Sequence, residues 1–95
     1  MDFMKNFIEQ ITKEIEEKET CKINVSIECE SIHLRNMHDL EITNVTETDT
    51  EIALSTTYGL DFSIGKNYID INYVEPDNDY IFKYSNGIEI KIAVF

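Results

Sequence analysis

Basic side chains are scarce in this sequence. Arg35 is its sole arginine, and eight Lys plus Arg stand against nineteen Asp plus Glu, a formal net charge of -11. So few cations exclude a protein that grips nucleic acid or anionic lipid directly, because those polyanions are drawn to basic surfaces. Glycine is also sparse, with three residues at positions that read as turns or kinks. A glycine-rich phosphate cradle is therefore excluded, and no serine stands in a nucleophile-elbow context. With two cysteines, the chain lacks a disulfide framework. No apolar run reaches membrane-spanning length. The N-terminal apolar residues Phe3, Met4, Phe7 and Ile8 are interrupted by charged and amide residues, unlike a secretory signal. Cytoplasmic placement is the expectation.

What is present is alternation. Ile69, Ile71 and Tyr73, then Tyr80, Phe82 and Tyr84, then Ile88, Ile90, Ile92 and Val94 recur at period two, as in strands with one packed face. Ser85-Asn86-Gly87 has the length of a type I turn closed by a left-handed glycine, which sets Phe82 opposite Ile90 and Lys83 opposite Glu89. A turn over Glu75–Asn78 sets Tyr73 opposite Tyr80 and Asp70 opposite Lys83. Lys66-Asn67 reads as a two-residue turn that pairs Gly65 with Tyr68 and Ile64 with Ile69.

Residues 2–19 read as a helix, because Met4, Phe7, Ile8, Ile11 and Ile15 form one apolar stripe and Asp2 can cap its start. A strand follows over Lys22–Cys29, with Ile23, Val25, Ile27 and Cys29 inward; Cys29 is expected to be a buried thiol. Glu30-Ser31 must carry a turn or bulge, and Asn36–Asp39 is the next turn candidate before a strand beginning at Leu40. Ile52, Leu54, Tyr58, Leu60, Phe62 and Ile64 share one phase. They are expected to form one strand bent at Gly59, since a hairpin there would close on two threonines. The result is an α+β single domain over residues 1–95, with an N-terminal amphipathic helix on a curved, mostly meandering antiparallel sheet of about six or seven strands. One helix covers part of such a sheet; curvature or a partner subunit, such as a second copy in a homodimer, must cover the rest.

Candidate chemistry is thin. Cys29, His33 and His38 are zinc-type ligands, but alternation turns Cys29 inward and His33 outward. Glu75, Asp77 and Asp79 flank a turn without the calcium-loop pattern, although weak metal binding is an alternative there. Tyr58, Tyr68, Tyr73, Tyr80 and Tyr84 lack the positive groove that a base-stacking platform needs. No cofactor, metal or enzymatic activity is expected.

The charge distribution says more. From Ile23 to Phe82 twelve acids stand against Arg35 and Lys66, whereas the helix is nearly balanced. Outward acids two apart on a strand are spaced by about 7 Å, close to the phosphate spacing along one DNA strand. Glu28, Glu30, Asp39, Glu41, Glu47, Asp49 and Glu51 are therefore the candidate partner-binding residues, as phosphate surrogates for a protein with a basic, nucleic-acid-binding surface. In size and acidity alone, the chain resembles phage or plasmid inhibitors of nucleic-acid defence enzymes and immunity proteins against basic nucleases. The expected function is thus a non-enzymatic binding inhibitor of the nucleic-acid-mimic type; the alternative is a structural or assembly subunit.

Overall fold

A computed structural model describes residues 2–30, 32–75 and 77–95. The parts of the sequence reading that fall on Met1, Ser31 and Pro76 lie outside the described residues. Helix α1 runs from Phe3 to Lys18. The Asp2 carboxylate caps it by accepting the Lys5 amide at 3.1 Å, and Lys18 pairs with Glu14 one turn back at 2.9 Å. Seven strands follow: β1 Cys21–Cys29, β2 Ile32–Glu47, β3 Glu51–Thr56, β4 Asp61–Gly65, β5 Asp70–Val74, β6 Asp79–Lys83 and β7 Ile88–Val94. All ladders are antiparallel, in the order β4-β3-β2-β1-β7-β6-β5.

That order is two meanders, β1–β4 and β5–β7, joined where β1 lies against β7. The joint is apolar to apolar: Ile23 meets Val94, Val25 meets Ile92 and Ile27 meets Ile90. The helical stripe drops Phe7 and Ile11 onto this floor, both fully buried, with Met4, Ile8 and Ile15 packed beside them. Phe7 meets the rings of Tyr80 and Phe82 edge-on, with centroids at 5.0 and 5.4 Å. Burying side chains of this size contributes about 1.5–3 kcal/mol each, so the floor under α1 is where stability concentrates.

The sheet curls because its two edges are neighbours in sequence. Seven flat strands would hold β4 and β5 about 29 Å apart at the usual interstrand spacing. The connector from Gly65 to Asp70 reaches about 18 Å when fully extended. The edges therefore bend toward each other, and the Tyr84 hydroxyl, just beyond β6, reaches the Gly65 carbonyl of β4 at 2.9 Å.

The hairpins after Asp70 follow the alternation. Tyr73 pairs with Tyr80, Asp70 with Lys83, Phe82 with Ile90 and Lys83 with Glu89. Gly87 is left-handed at φ 83°, and the Tyr84 amide reaches the Ile88 carbonyl at 2.9 Å.

Four expectations are corrected. The stretch Asn36–Asp39 is no turn. β2 runs through it, and register shifts opposite Ile23–Val25 and Ile27–Glu28 absorb the slipped phase, with Asp39 left-handed at φ 55°. Leu40 therefore begins no new strand. Residues 51–65 form two strands rather than one bent strand. The Thr56 hydroxyl closes their turn by donating to the Leu60 carbonyl at 2.6 Å and accepting its amide at 3.0 Å, so threonine supplies the turn chemistry itself. Lys66-Asn67 is not a hairpin turn either. Gly65 pairs with Glu51, and the Lys66 amide still bonds the Thr50 carbonyl at 2.9 Å before the chain crosses to the far edge. Finally, Cys21 is the fully buried thiol and Cys29 is half-buried, because burial declines along β1 away from the helix.

Candidate functional site

The seven acidic candidates are strung along β2 and its two ends. Glu28 projects from the convex face of β1, where it pairs with Lys91 at 2.7 Å and lies 3.5 Å from the His33 imidazole. Its hydrogen bond from Lys91 holds the carboxyl below its usual range, and the same contact raises Lys91. Glu30 sits in the β1–β2 turn, left-handed at φ 48°, against Gly87. Asp39 is the left-handed bulge residue, and its amide donates to the Asn24 side chain at 2.9 Å. Glu41 is opposite Lys22 and accepts from the Thr57 hydroxyl at 3.3 Å. Glu47 has the register of the concave side, opposite buried Ile52, and pairs with Lys66. Asp49 occupies the β2–β3 turn, and Glu51 opens β3 opposite Gly65.

These positions do not share one face. The structure gathers a different set on the convex side of β2–β4. Inward Ile52, Leu54 and Thr56 turn Glu51, Ala53 and Ser55 outward; their β4 partners are Gly65, Ser63 and Asp61. Glu41, Asn44 and Thr46 continue this surface on β2. From Asp39 to Gly65 the sequence holds six acids and no lysine or arginine. Glu41, Glu51 and Asp61 thus stand among hydroxyl, amide and alanine side chains, with Lys22 of β1 at the border. Asp61 was missed in the sequence reading, and the pairing of β4 with β3 is what makes it a neighbour of Glu51's face.

A second convex feature lies where β1 meets β7. Asp79, Lys91, Asn24, Ser26, Asn36 and His38 line a polar hollow there. The Asp79 carboxyl is pushed up by burial first and by neighbouring Asp77 second, with Lys91 opposing.

On the concave side, α1 covers one end of the curl and leaves the other open. Ile27, Met37, Leu60, Phe62 and Ile90 line an apolar cleft of about 230 Å³, with Arg35 and Asp61 among its walls. Tyr58 and Leu60, in the β3–β4 turn, are 89% and 49% exposed. Ile32 and Leu34 of β2 are 65% and 54% exposed.

Of the five tyrosines that lack a positive groove for base stacking, Tyr73 and Tyr80 pack on one another with centroids 4.9 Å apart, and Tyr80 is buried. Among the described residues, no three His, Cys, Asp or Glu side chains are grouped to hold one metal ion. Among them, too, no helix is long and apolar enough to cross a membrane. No protein-family model, curated protein or solved structure matches the chain.

Proposed function

We propose that the protein is a non-catalytic binding module whose acidic surface docks on the basic, nucleic-acid-binding surface of a partner protein and competes with nucleic acid for it. The observation that carries this reading is the convex face of β2–β4. There Glu41, Glu51 and Asp61 project from neighbouring strands within a stretch free of lysine and arginine. Asp39 and Asp49 extend it at the bulge and the β2–β3 turn, Glu28 and Glu30 are outlying members, and Glu47, with the concave register and paired with Lys66, falls outside it. A rigid ladder fixes the acids before the partner arrives, which lowers the ordering cost of binding. Like charge across the face speeds encounter with a basic surface and makes the complex salt-sensitive.

The test captures partners from native lysate at low salt, then asks whether the protein displaces DNA or RNA from them. A triple variant, Glu41→Gln, Glu51→Gln and Asp61→Asn, is expected to bind more weakly and with a shallower salt dependence. Glu9→Gln on the helix is expected to change neither. Partners without a basic surface, or displacement untouched by the triple variant, overturn the reading.

A second reading, an assembly subunit with no catalytic role, is favoured by the open apolar cleft beside Leu60 and Phe62. Sedimentation that gives only monomer at micromolar concentration, with no co-purifying protein, removes it.

A further inference from the structure

The two halves of β2 are opposite in character. β1 pairs with Ile32–Ile42 and β3 with Ile42–Glu47, so the two ladders overlap at Ile42 and the first half of β2 pairs with β1 alone. The β3–β4 turn abuts Glu41, with the Thr57 amide 3.0 Å from the Glu41 carbonyl, and marks where cover ends. Among the described residues, no further strand pairs with the open side of Ile32–His38. An open edge presents unpaired backbone donors and acceptors, a template for one more strand. Proteins blunt such edges with short strands, bulges, proline or charge. Here one register shift falls inside the segment, between His33 and Arg35, and the other just beyond it, between Met37 and Leu40, yet the segment contains no proline and no acid. Its side chains are instead Ile32, His33, Leu34, Arg35, Asn36, Met37 and His38. On a chain of net charge -11, this is a local reversal of sign.

Between the bulges the ladder is regular, with Arg35 opposite Ile27 and Met37 opposite Val25. Arg35 and Met37 therefore share the concave face at the two-residue period, and both line the apolar cleft. Arg35 has no ion-pair partner among the described residues, although every acid-rich part of the chain lies on other strands or turns. A strand laid along this edge would face the cleft with residues two apart. One would stand beside a cation, and the other beside Met37, Leu60 and Phe62.

We propose that the open edge of β2 at Ile32–His38 binds an extended segment of a partner protein bearing the pattern acid-x-apolar. The Asp or Glu of that segment meets Arg35, and its apolar residue enters the cleft. Backbone pairing supplies sequence-independent affinity, and the two facing side chains supply selection. The occupant is not a second copy of this edge, because antiparallel pairing centred here would set two Arg35 side chains against each other. Apart from Asp61, which has the convex register and also borders the cleft, the surface is distinct from the acidic convex face, and neither assignment depends on the other.

The experiment titrates isotope-labelled protein with a capped heptapeptide, Ser-Thr-Glu-Thr-Val-Thr-Ser, and follows the amide resonances. Shifts are expected at Ile32–His38 and Leu60, with the helix unaffected. Replacing the peptide's glutamate by lysine is expected to weaken binding by about fivefold or more through like-charge repulsion with Arg35. Methylating the peptide's edge-facing backbone nitrogens is expected to abolish binding. Arg35→Gln alters an exposed side chain, so the variant should retain the parent spectrum while losing its preference for glutamate over glutamine in the peptide. Shifts centred elsewhere, no shifts at saturating peptide, or equal binding of the lysine peptide overturn the proposal. So does a concentration-dependent dimer in which the same amides are protected without peptide.

Discussion

The Tyr84 hydroxyl donates to the Gly65 carbonyl at 2.9 Å, tying the end of β6 to the strand at the opposite edge of the sheet. The Ile69 amide, donating to the Lys83 carbonyl at 2.7 Å, brings the connector to the same place. The phenol is half-buried, and burial chiefly raises its pKa. Tyr84→Phe keeps the ring and removes the clasp. It should lower stability by about 0.5–1.5 kcal/mol in urea unfolding. Faster amide exchange should appear first at Lys66 and Ile69; uniform exchange across the sheet would show that the connector alone holds the curl.

Asn78 joins three segments. It is left-handed at φ 59°, its carbonyl oxygen accepts from the Tyr73 hydroxyl, and its amide donates to the Val94 carbonyl at 3.0 Å. Asn78→Gly keeps the backbone conformation and loses the hydrogen bonds, at a cost of about 1–2 kcal/mol. Asn78→Ala adds left-handed strain of about 1 kcal/mol. The expected stability order is Asn, then Gly, then Ala, read from denaturant midpoints; an alanine variant matching glycine would show that the strain term is negligible.

The two thiols should separate under a disulfide-exchange reagent. Cys29 is half-buried, with its sulfur 3.9 Å from the Asn86 carbonyl oxygen, and should react in the folded protein. Cys21 is fully buried and should react only on unfolding. Equal rates under native conditions would contradict the packing of α1 over Cys21.

Stability should fall in alkali. Burial, with Glu14 second and Lys18 opposing, pushes the Cys21 thiol from 9.0 up to about 11. Below pH 9 the thiol is protonated in both states, and its contribution is fully present. As pH rises toward 11 the unfolded chain ionises first, so stability declines, by about 2–3 kcal/mol for this group. Burial also raises Tyr68, Tyr80 and Tyr84 above 10, which continues the decline at higher pH. Cys21→Ala should flatten the profile between pH 9 and 10.5 in urea titrations; an unchanged slope would assign the early loss elsewhere.

Gly59 and Gly87 are both left-handed, but their surroundings differ. A Cβ on Gly59 meets nothing within 4 Å, whereas one on Gly87 comes to 3.1 Å from Glu30 Cγ. Gly59→Ala should cost about 1 kcal/mol from backbone strain alone, and Gly87→Ala somewhat more. Adding Glu30→Ala should return the Gly87 variant to the level of the Gly59 variant in thermal melts.

The sequence makes local pairing legible and global placement less so. Period two and the Ser85-Asn86-Gly87 turn are enough to set Phe82 opposite Ile90, because a one-residue slip would bury Lys83 beside Ile90. The same rule misleads at Lys66-Asn67. Ile64 is buried but its expected partner Ile69 is exposed, and Ile71 packs on the core from the opposite edge of the sheet, so a shared period there does not mean adjacency. In β2 the lost phase has two physical solutions, a turn or a bulge, and pairing with β1 selects the bulge. The acids of the candidate site could be counted in advance. That Glu47 has the concave register while Asp61 belongs on the convex face required the β3–β4 register.

The ladder between β1 and β7 also sets the tempo of folding. Each meander is built from strands adjacent in sequence, so its contacts close short loops quickly. Joining the halves pairs Ile23 with Val94 and Cys29 with Ile88, which must close most of the chain into a loop before any contact repays that entropy. The meeting of β1 with β7 is accordingly expected to be the slow step of folding, and until it occurs the apolar edges of Ile23–Ile27 and Ile88–Val94 would stand open to other chains.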